Sequence, residues 1–245
     1  MTNSPTPAEL PLTGIRVLDL SQVMAGPFCC MMLGDLGADV IKVEPPPGGD
    51  STRHSMGFRL KGEDSPGFLA LNRNKRSIVL DLKDPQDREV LYALVKTADV
   101  LVENSRPGVS QRLGVSYETL QALNPRLVYA SISGFGQTGP WAQRPGFDLI
   151  AQAMSGILSA TGLPGLEPVK NAIPVGDLGA GLFAAVEFWV LCSDGRVPAW
   201  VSTSTPRCLR LRSGCRFGKP PSCGGRASRP RRSAPRIACR LPIRR

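Results

Sequence analysis

Along its first 190 residues the chain alternates short apolar runs with amphipathic stretches. Ile15 to Leu20 is an apolar run with Asp19 inside it, a buried-strand signal. Gly26-Pro27 then opens a helix through Leu36, with proline at a tolerated first-turn position. Gly37 ends that helix, and Asp39 to Val43 is the next strand. Strand, helix and strand within about thirty residues predict a right-handed parallel βαβ unit. Pro45 to Pro66 reads as a long irregular loop, usually functional or mobile at such length. Ser77 to Leu82 is a third strand. Pro85 to Thr97 is an amphipathic helix, acidic at its start (Asp84, Asp87, Glu89) with Lys96 near its end, as the helix dipole prefers. Asp99 to Glu103 and Arg126 to Ser133 are further strands. Between them lie one or two short helices, the second capped by Ser116. Phe147 to Ser159 reads as a helix, and Asp177 opens the last one. The pattern predicts an α/β fold: a Rossmann-like parallel sheet with helices on both faces, followed by a basic irregular tail.

Charge sharpens the last point. Residues 1–194 hold 16 Lys and Arg against 20 Asp and Glu, whereas residues 195–245 hold 14 against none. The net +10 therefore belongs to the tail, and the body is mildly acidic. Cys29 and Cys30 stand in the body, five more cysteines follow it, and no pair has the C-x-x-C spacing of a zinc or redox site. We expect a reduced, cytoplasmic setting and no metal ligand set. Met1 to Pro11 is polar with no apolar run, so it reads as a flexible N-terminus rather than a leader. No stretch approaches the ~20 apolar residues of a membrane helix. His54, the one histidine, reads as a solvated loop residue.

The segment Pro174 to Val186 carries the most chemistry. Asp177 stands among Gly176, Gly179 and Gly181, just before an apolar helical run. Two readings stay open from these residues: a plain helix N-cap, or an ionised carboxylate available as a nucleophile, with bare glycines admitting a substrate or another backbone. Gly134-Phe-Gly136-Gln-Thr-Gly139 matches G-x-G-x-x-G after a strand, but Pro140-Trp141 follows where a dinucleotide site would open a helix. A nicotinamide or flavin site is therefore not expected.

Several ordered motifs give these residues a context. They are Ile15 to Pro27, Leu33 to Glu44, Asn72-Arg-Asn-Lys-Arg-Ser-Ile78, Asp99-Val-Leu-Val-Glu-Asn104, Asn124-Pro-Arg126, Ser133 to Pro140 and Asp148 to Gly156. From about Leu12 to Val186 the chain resembles the class III CoA-transferases, which include formyl-CoA and carnitine CoA-transferases and the related α-methylacyl-CoA racemase. The resemblance implies that Asp177 is the covalent nucleophile, with coenzyme A and acyl-CoA as substrates and no permanently bound cofactor. It places CoA contacts at Met24, Ala25, Leu80, Lys83, Asn104, Ser105, Arg106, Arg112, Phe147 and Asp148. Lys83, Arg106 and Arg112 are cations suited to phosphates, or otherwise plain surface residues. Basic CoA contacts of formyl-CoA transferase fall here on Pro45 and Ser133, and Arg53 is the candidate to take their place. The racemase branch needs a His-Asp pair, and Gly146-Phe147-Asp148 has no histidine, which favours transfer. The implied partners are an acyl-CoA and a small carboxylic acid, with no membrane and no nucleic acid.

After Val186 the family pattern is lost. We divide the chain into residues 1–11, a CoA-transferase core over 12–190 and a basic tail over 191–245. A disordered tail or a nucleic-acid arm would suit that composition, but a shifted reading frame also accounts for the jump in charge and cysteine. Read one base earlier, Arg216 to Gly224 permits Ser-Val-Trp-Glu-Ala-Ala-Glu-Leu-Trp, a helical peptide similar to what family members carry there. The family forms interlocked homodimers through its later segments. A chain lacking them is expected to lose that arrangement and an acceptor-side glycine loop, so the rival reading is a remnant that at most binds CoA, or polyanions through its tail.

Overall fold

In a computed structural model, residues 10–55, 62, 64–163 and 165–193 are described. Five parallel strands, β1 (Arg16–Asp19), β2 (Asp39–Glu44), β3 (Lys75–Val79), β4 (Val100–Glu103) and β5 (Val128–Ser131), form one sheet in the order β3-β2-β1-β4-β5. Leu18 stands beside Ile41 of β2 on one side and Leu101 of β4 on the other. The described helices are α1 (Ala25–Asp35), α2 (Thr52–Ser55), α3 (Pro66–Leu71), α4 (Pro85–Val95), α5 (Val109–Arg112), α6 (Tyr117–Leu123), α7 (Asp148–Met154), α8 (Ile157–Ala160) and α9 (Val175–Ser193).

Strand alternation sends successive side chains to opposite faces. Val17, Val40, Val100, Val102, Val128 and Ala130 pack with α1 and α9. Leu18, Ile41, Leu101 and Tyr129 pack with α4 and α6. Both faces are covered over β1, β2, β4 and β5, which is why these strands read as near-continuous apolar runs, while the edge strand β3 is largely exposed. The α/β expectation holds, with helices on both faces.

Four local expectations are corrected. β3 starts at Lys75, two residues before the apolar run, because the Lys75 ammonium is buried against Asp19 and the Pro27 carbonyl rather than solvated. Val79 ends that strand, so Leu80 to Lys83 follow it. The single helix expected over Phe147 to Ser159 is two, α7 and α8, broken at Gly156, whose φ of +84° ends a helix readily in a residue without Cβ. The irregular 45–66 segment contains α2. Finally, α9 begins at Val175, which moves Asp177 off the cap position and into the first turn. Ser116 caps α6 as expected. The expectations for the first nine residues and the tail beyond Ser193 lie outside the described residues. Among the described residues no helix is long and apolar enough to cross a membrane.

Candidate active site

The sheet order reverses direction between β1 and β4, since the chain leaves β1 toward β2 and β4 toward β5. Open parallel sheets form a crevice above the carboxyl ends of strands at such a point. A cavity of about 280 Å³ lies there. Its walls are Val23 to Ala25 after β1, Asn104 to Pro107 after β4, Ile132 to Gly134, Ala142 and Arg144 to Phe147 after β5, and Asp177 with Ala180 from α9. A second cavity of about 180 Å³ is lined by Leu80 to Lys83, Glu103, Ser105 and residues of α5 and its surroundings. Ser105 lines both.

Seven expected site residues therefore meet at the larger cavity: Met24, Ala25, Asn104, Ser105, Arg106, Phe147 and Asp177. Leu80 and Lys83 line the smaller one. Arg112 is exposed on α5 and lines neither. Asp148 lines neither, and its carboxylate is engaged elsewhere. One oxygen accepts the amides of Gly176 at 2.7 Å and Asp177 at 3.3 Å, and the other accepts the Gln152 side-chain amide at 2.6 Å. So the N-cap reading of Asp177 fails: a carboxylate from α7 takes the orphan amides of α9. Gln152, almost fully buried, also accepts the Asn171 amide at 2.8 Å and ties the segment before α9 to α7. Asp177, half-buried in the first turn, sits where the helix dipole favours an anion. Gly181 admits a backbone rather than a substrate, since a Cβ there would overlap the Ala25 carbonyl. That close approach seats α9 on α1 at the cavity.

The Asn104 side chain is also occupied structurally. Its oxygen accepts the Gln22 amide at 2.8 Å and its nitrogen donates to the Gln22 carbonyl at 2.7 Å. Below this loop lies a buried ionic cluster that sequence reasoning did not connect to the site. Lys42 is 3.0 Å from Asp50, and Lys75 donates to Asp19 at 2.8 Å, with Asp19, Lys42 and Asp50 buried. Burial pushes the Asp19 carboxyl up, but Lys42 and Lys75 outweigh it and hold it below the ordinary carboxylate range. Burial likewise pulls the Lys42 ammonium down, and Asp19 and Asp50 reverse that to a net rise.

Arg53 lines neither cavity. Its guanidinium spans Glu44, at 2.9 and 2.6 Å, and Asp64, at 2.9 Å, and lies 3.9 Å over the Phe68 ring. Burial raises the Glu44 carboxyl, yet hydrogen bonds from Arg53, Ser77 and the Asp50 amide bring it down to about 2. A cation overlooked in the sequence does stand at the cavity. Arg144 lines it, 5.2 Å over the Trp141 ring, which packs edge-on against buried Phe135. Its signal was an arginine between Trp141 and Pro145 in a loop otherwise read for glycines. Ser133, also at the wall, carries the buried side-chain hydroxyl that has no hydrogen-bond partner among the described residues. Glu103, beneath Ser105, accepts the Ser105 amide at 2.7 Å, and burial pushes its carboxyl up.

The glycine loop does not lead straight into a helix, as a dinucleotide fingerprint does. Gly139 lies in a turn, and the next helix opens only at Asp148. Gly134 serves a backbone contact instead, for a Cβ there would overlap Gly146. His54 is exposed and lines neither cavity.

Residues 12–191 match the family model described as CoA-transferase family III. The chain is 48% identical over 174 residues to succinyl-CoA:glutarate CoA-transferase of Mus musculus, an alignment covering 71% of this chain and 40% of that protein. It is 50% identical over 181 residues to acetyl-CoA:oxalate CoA-transferase of Acetobacter aceti, covering 74% of this chain and 46% of the other. A CAIB/BAIF family protein from Brucella suis superposes with a TM-score of 0.71 at 41% identity, over 77% of this chain and 51% of that one. The chain thus spans less than half the length of these curated relatives.

Proposed function

Because this chain belongs to CoA-transferase family III, we propose that its Asp177 cavity handles the transfer of CoA from an acyl-CoA donor to a carboxylic acid. The observation that carries the reading is the placement of Asp177 in the first turn of α9, on the wall of the switch-point cavity, with Arg106 and Arg144 on the same wall. The relatives' names specify glutarate and oxalate, and a small dicarboxylic acid fits the two cations. A cytoplasmic location suits the free Cys29 and Cys30.

In the reaction, an Asp177 carboxylate oxygen attacks the thioester carbonyl of the donor. The carbon–sulfur bond breaks, leaving a mixed anhydride and CoA thiolate. The thiolate attacks the aspartyl carbonyl, the donor acid leaves as carboxylate, and an aspartyl-CoA thioester remains. The acceptor carboxylate then attacks that thioester and the sequence runs in reverse. Each tetrahedral oxyanion needs fixed donors nearby. The long CoA arm runs between the two cavities past Ser105, with Lys83 beside the smaller one.

The absence of histidine from both cavity walls disfavours the racemase alternative. The second reading is a fragment that binds CoA without turnover. Incubation with succinyl-CoA and glutarate, followed by intact mass and product analysis, separates them. Transfer with a CoA adduct on Asp177, both lost in Asp177→Ala, supports the enzyme. CoA binding with no exchange supports the fragment. Full activity of Asp177→Ala sinks the nucleophile assignment.

A further inference from the structure

The loop between β1 and α1 is held by side chains from three other segments. Ser21 donates its amide to Asp19 at 3.0 Å and accepts from Lys42 at 2.9 Å through its carbonyl. The Gln22 amide and carbonyl both go to Asn104. The Val23 amide donates to both oxygens of Asp50, at 3.3 and 3.2 Å. Val23 stands at φ +68°, a conformation that a β-branched residue adopts only under constraint. Its own side chain is 46% exposed, so packing does not hold it there. The next two residues, Met24 and Ala25, form the wall of the Asp177 cavity and the start of α1.

Asp50 is built to be this tether. It is fully buried, paired with buried Lys42 at 3.0 Å, and receives the Thr52 amide at 3.0 Å and hydroxyl at 2.8 Å. Neither Asp50 nor Lys42 lines the cavity. We propose that Asp50, oriented by Lys42, is a positioning residue that holds Val23 in the left-handed conformation and so sets Met24 and Ala25 against the CoA site. The proposal rests on the cavity being that site.

The test uses the full chain with CoA as probe in titration calorimetry. Asp50→Asn should weaken binding about tenfold, the scale of a strained residue released from its constraint. Adding Val23→Gly, which reaches that φ unaided, should return affinity to within about threefold of the unsubstituted chain. A merely stabilising Asp50 would not be rescued in this way. Unchanged binding of Asp50→Asn, or a double variant as weak as the single one, overturns the proposal. Should Asp50→Asn fail to fold, Lys42→Met with Asp50→Leu removes both charges together and carries the same expectations. If the unsubstituted chain does not bind CoA, the functional reading fails by itself. Amide exchange then decides the tether: in the Asp50 variant the Val23 and Met24 amides should exchange at least about tenfold faster while β1 and β4 keep their rates. A uniform rise overturns it.

Discussion

From Leu12 to Ser131 most apolar side chains face inward, and Val17, Leu18, Leu91, Leu101 and Leu120 are wholly out of water. From Phe147 to Trp189 the balance is reversed: Leu163 is 72% exposed, Phe147 66% and Trp189 50%, with Leu149, Met154, Leu166, Ile173, Leu182 and Phe183 also open. Yet the second region delivers Asp177. It is anchored by Ala180, Ala184, Ala185 and Phe188 against α1, and by the Asp148–Gln152 hydrogen bonds. The core on the α4 and α6 face of the sheet is closed within the first region, whereas the core on the α1 face is completed by α9. The helical region presents apolar surface of the kind that marks contact with more protein.

The contrast can be broken most sharply in the sheet. Leu101→Ala, in the interior strand β4, should cost about 2–5 kcal/mol in urea denaturation, because a cavity would open with no neighbour free to collapse into it. A loss below about 1 kcal/mol would mean that the sheet core is no tighter than the helical face. Acid provides the next test. Glu44 of β2 falls from 4.5 to about 2 on folding, so its contribution is fully present above its unfolded value and lost as pH drops from there toward 2. Up to about 3 kcal/mol should vanish across that window, and Glu44→Gln should flatten that part of the pH profile. The smallest effect belongs to the other region. Trp189→Gln should change stability by no more than about 0.5 kcal/mol while raising solubility in a precipitation assay; a large destabilisation would show the face to be buried in solution.

Most of the sheet was legible because β1, β2, β4 and β5 are largely apolar runs between turn residues. β3 was misplaced because Lys75 and Arg76 read as loop, and only the three-dimensional partner Asp19 makes Lys75 a strand residue. The site residues after β1 and β4 were legible through the family resemblance and the strand ends. What escaped is long-range: Asp148 capping a helix 28 residues away, Gln152 holding Asn171, and Asp50 reaching Val23. No spacing rule marks such pairs, since each joins segments that only the folded topology makes neighbours. Arg144 escaped for a simpler reason, as a lone arginine in a proline-rich loop has no local signature.

The touch of α9 on α1 at Gly181 lies nearer one end of α9 than the other. Asp177 lies four residues from it, about 6 Å along the axis, and Trp189 eight residues the other way, about 12 Å. A tilt of ten degrees about that point would swing the far end by about 2 Å but Asp177 by only about 1 Å. The short arm carries the carboxylate and the long arm carries the exposed aromatic face. Along α9 the exposed aromatic face stands about twice as far from the contact as the carboxylate does.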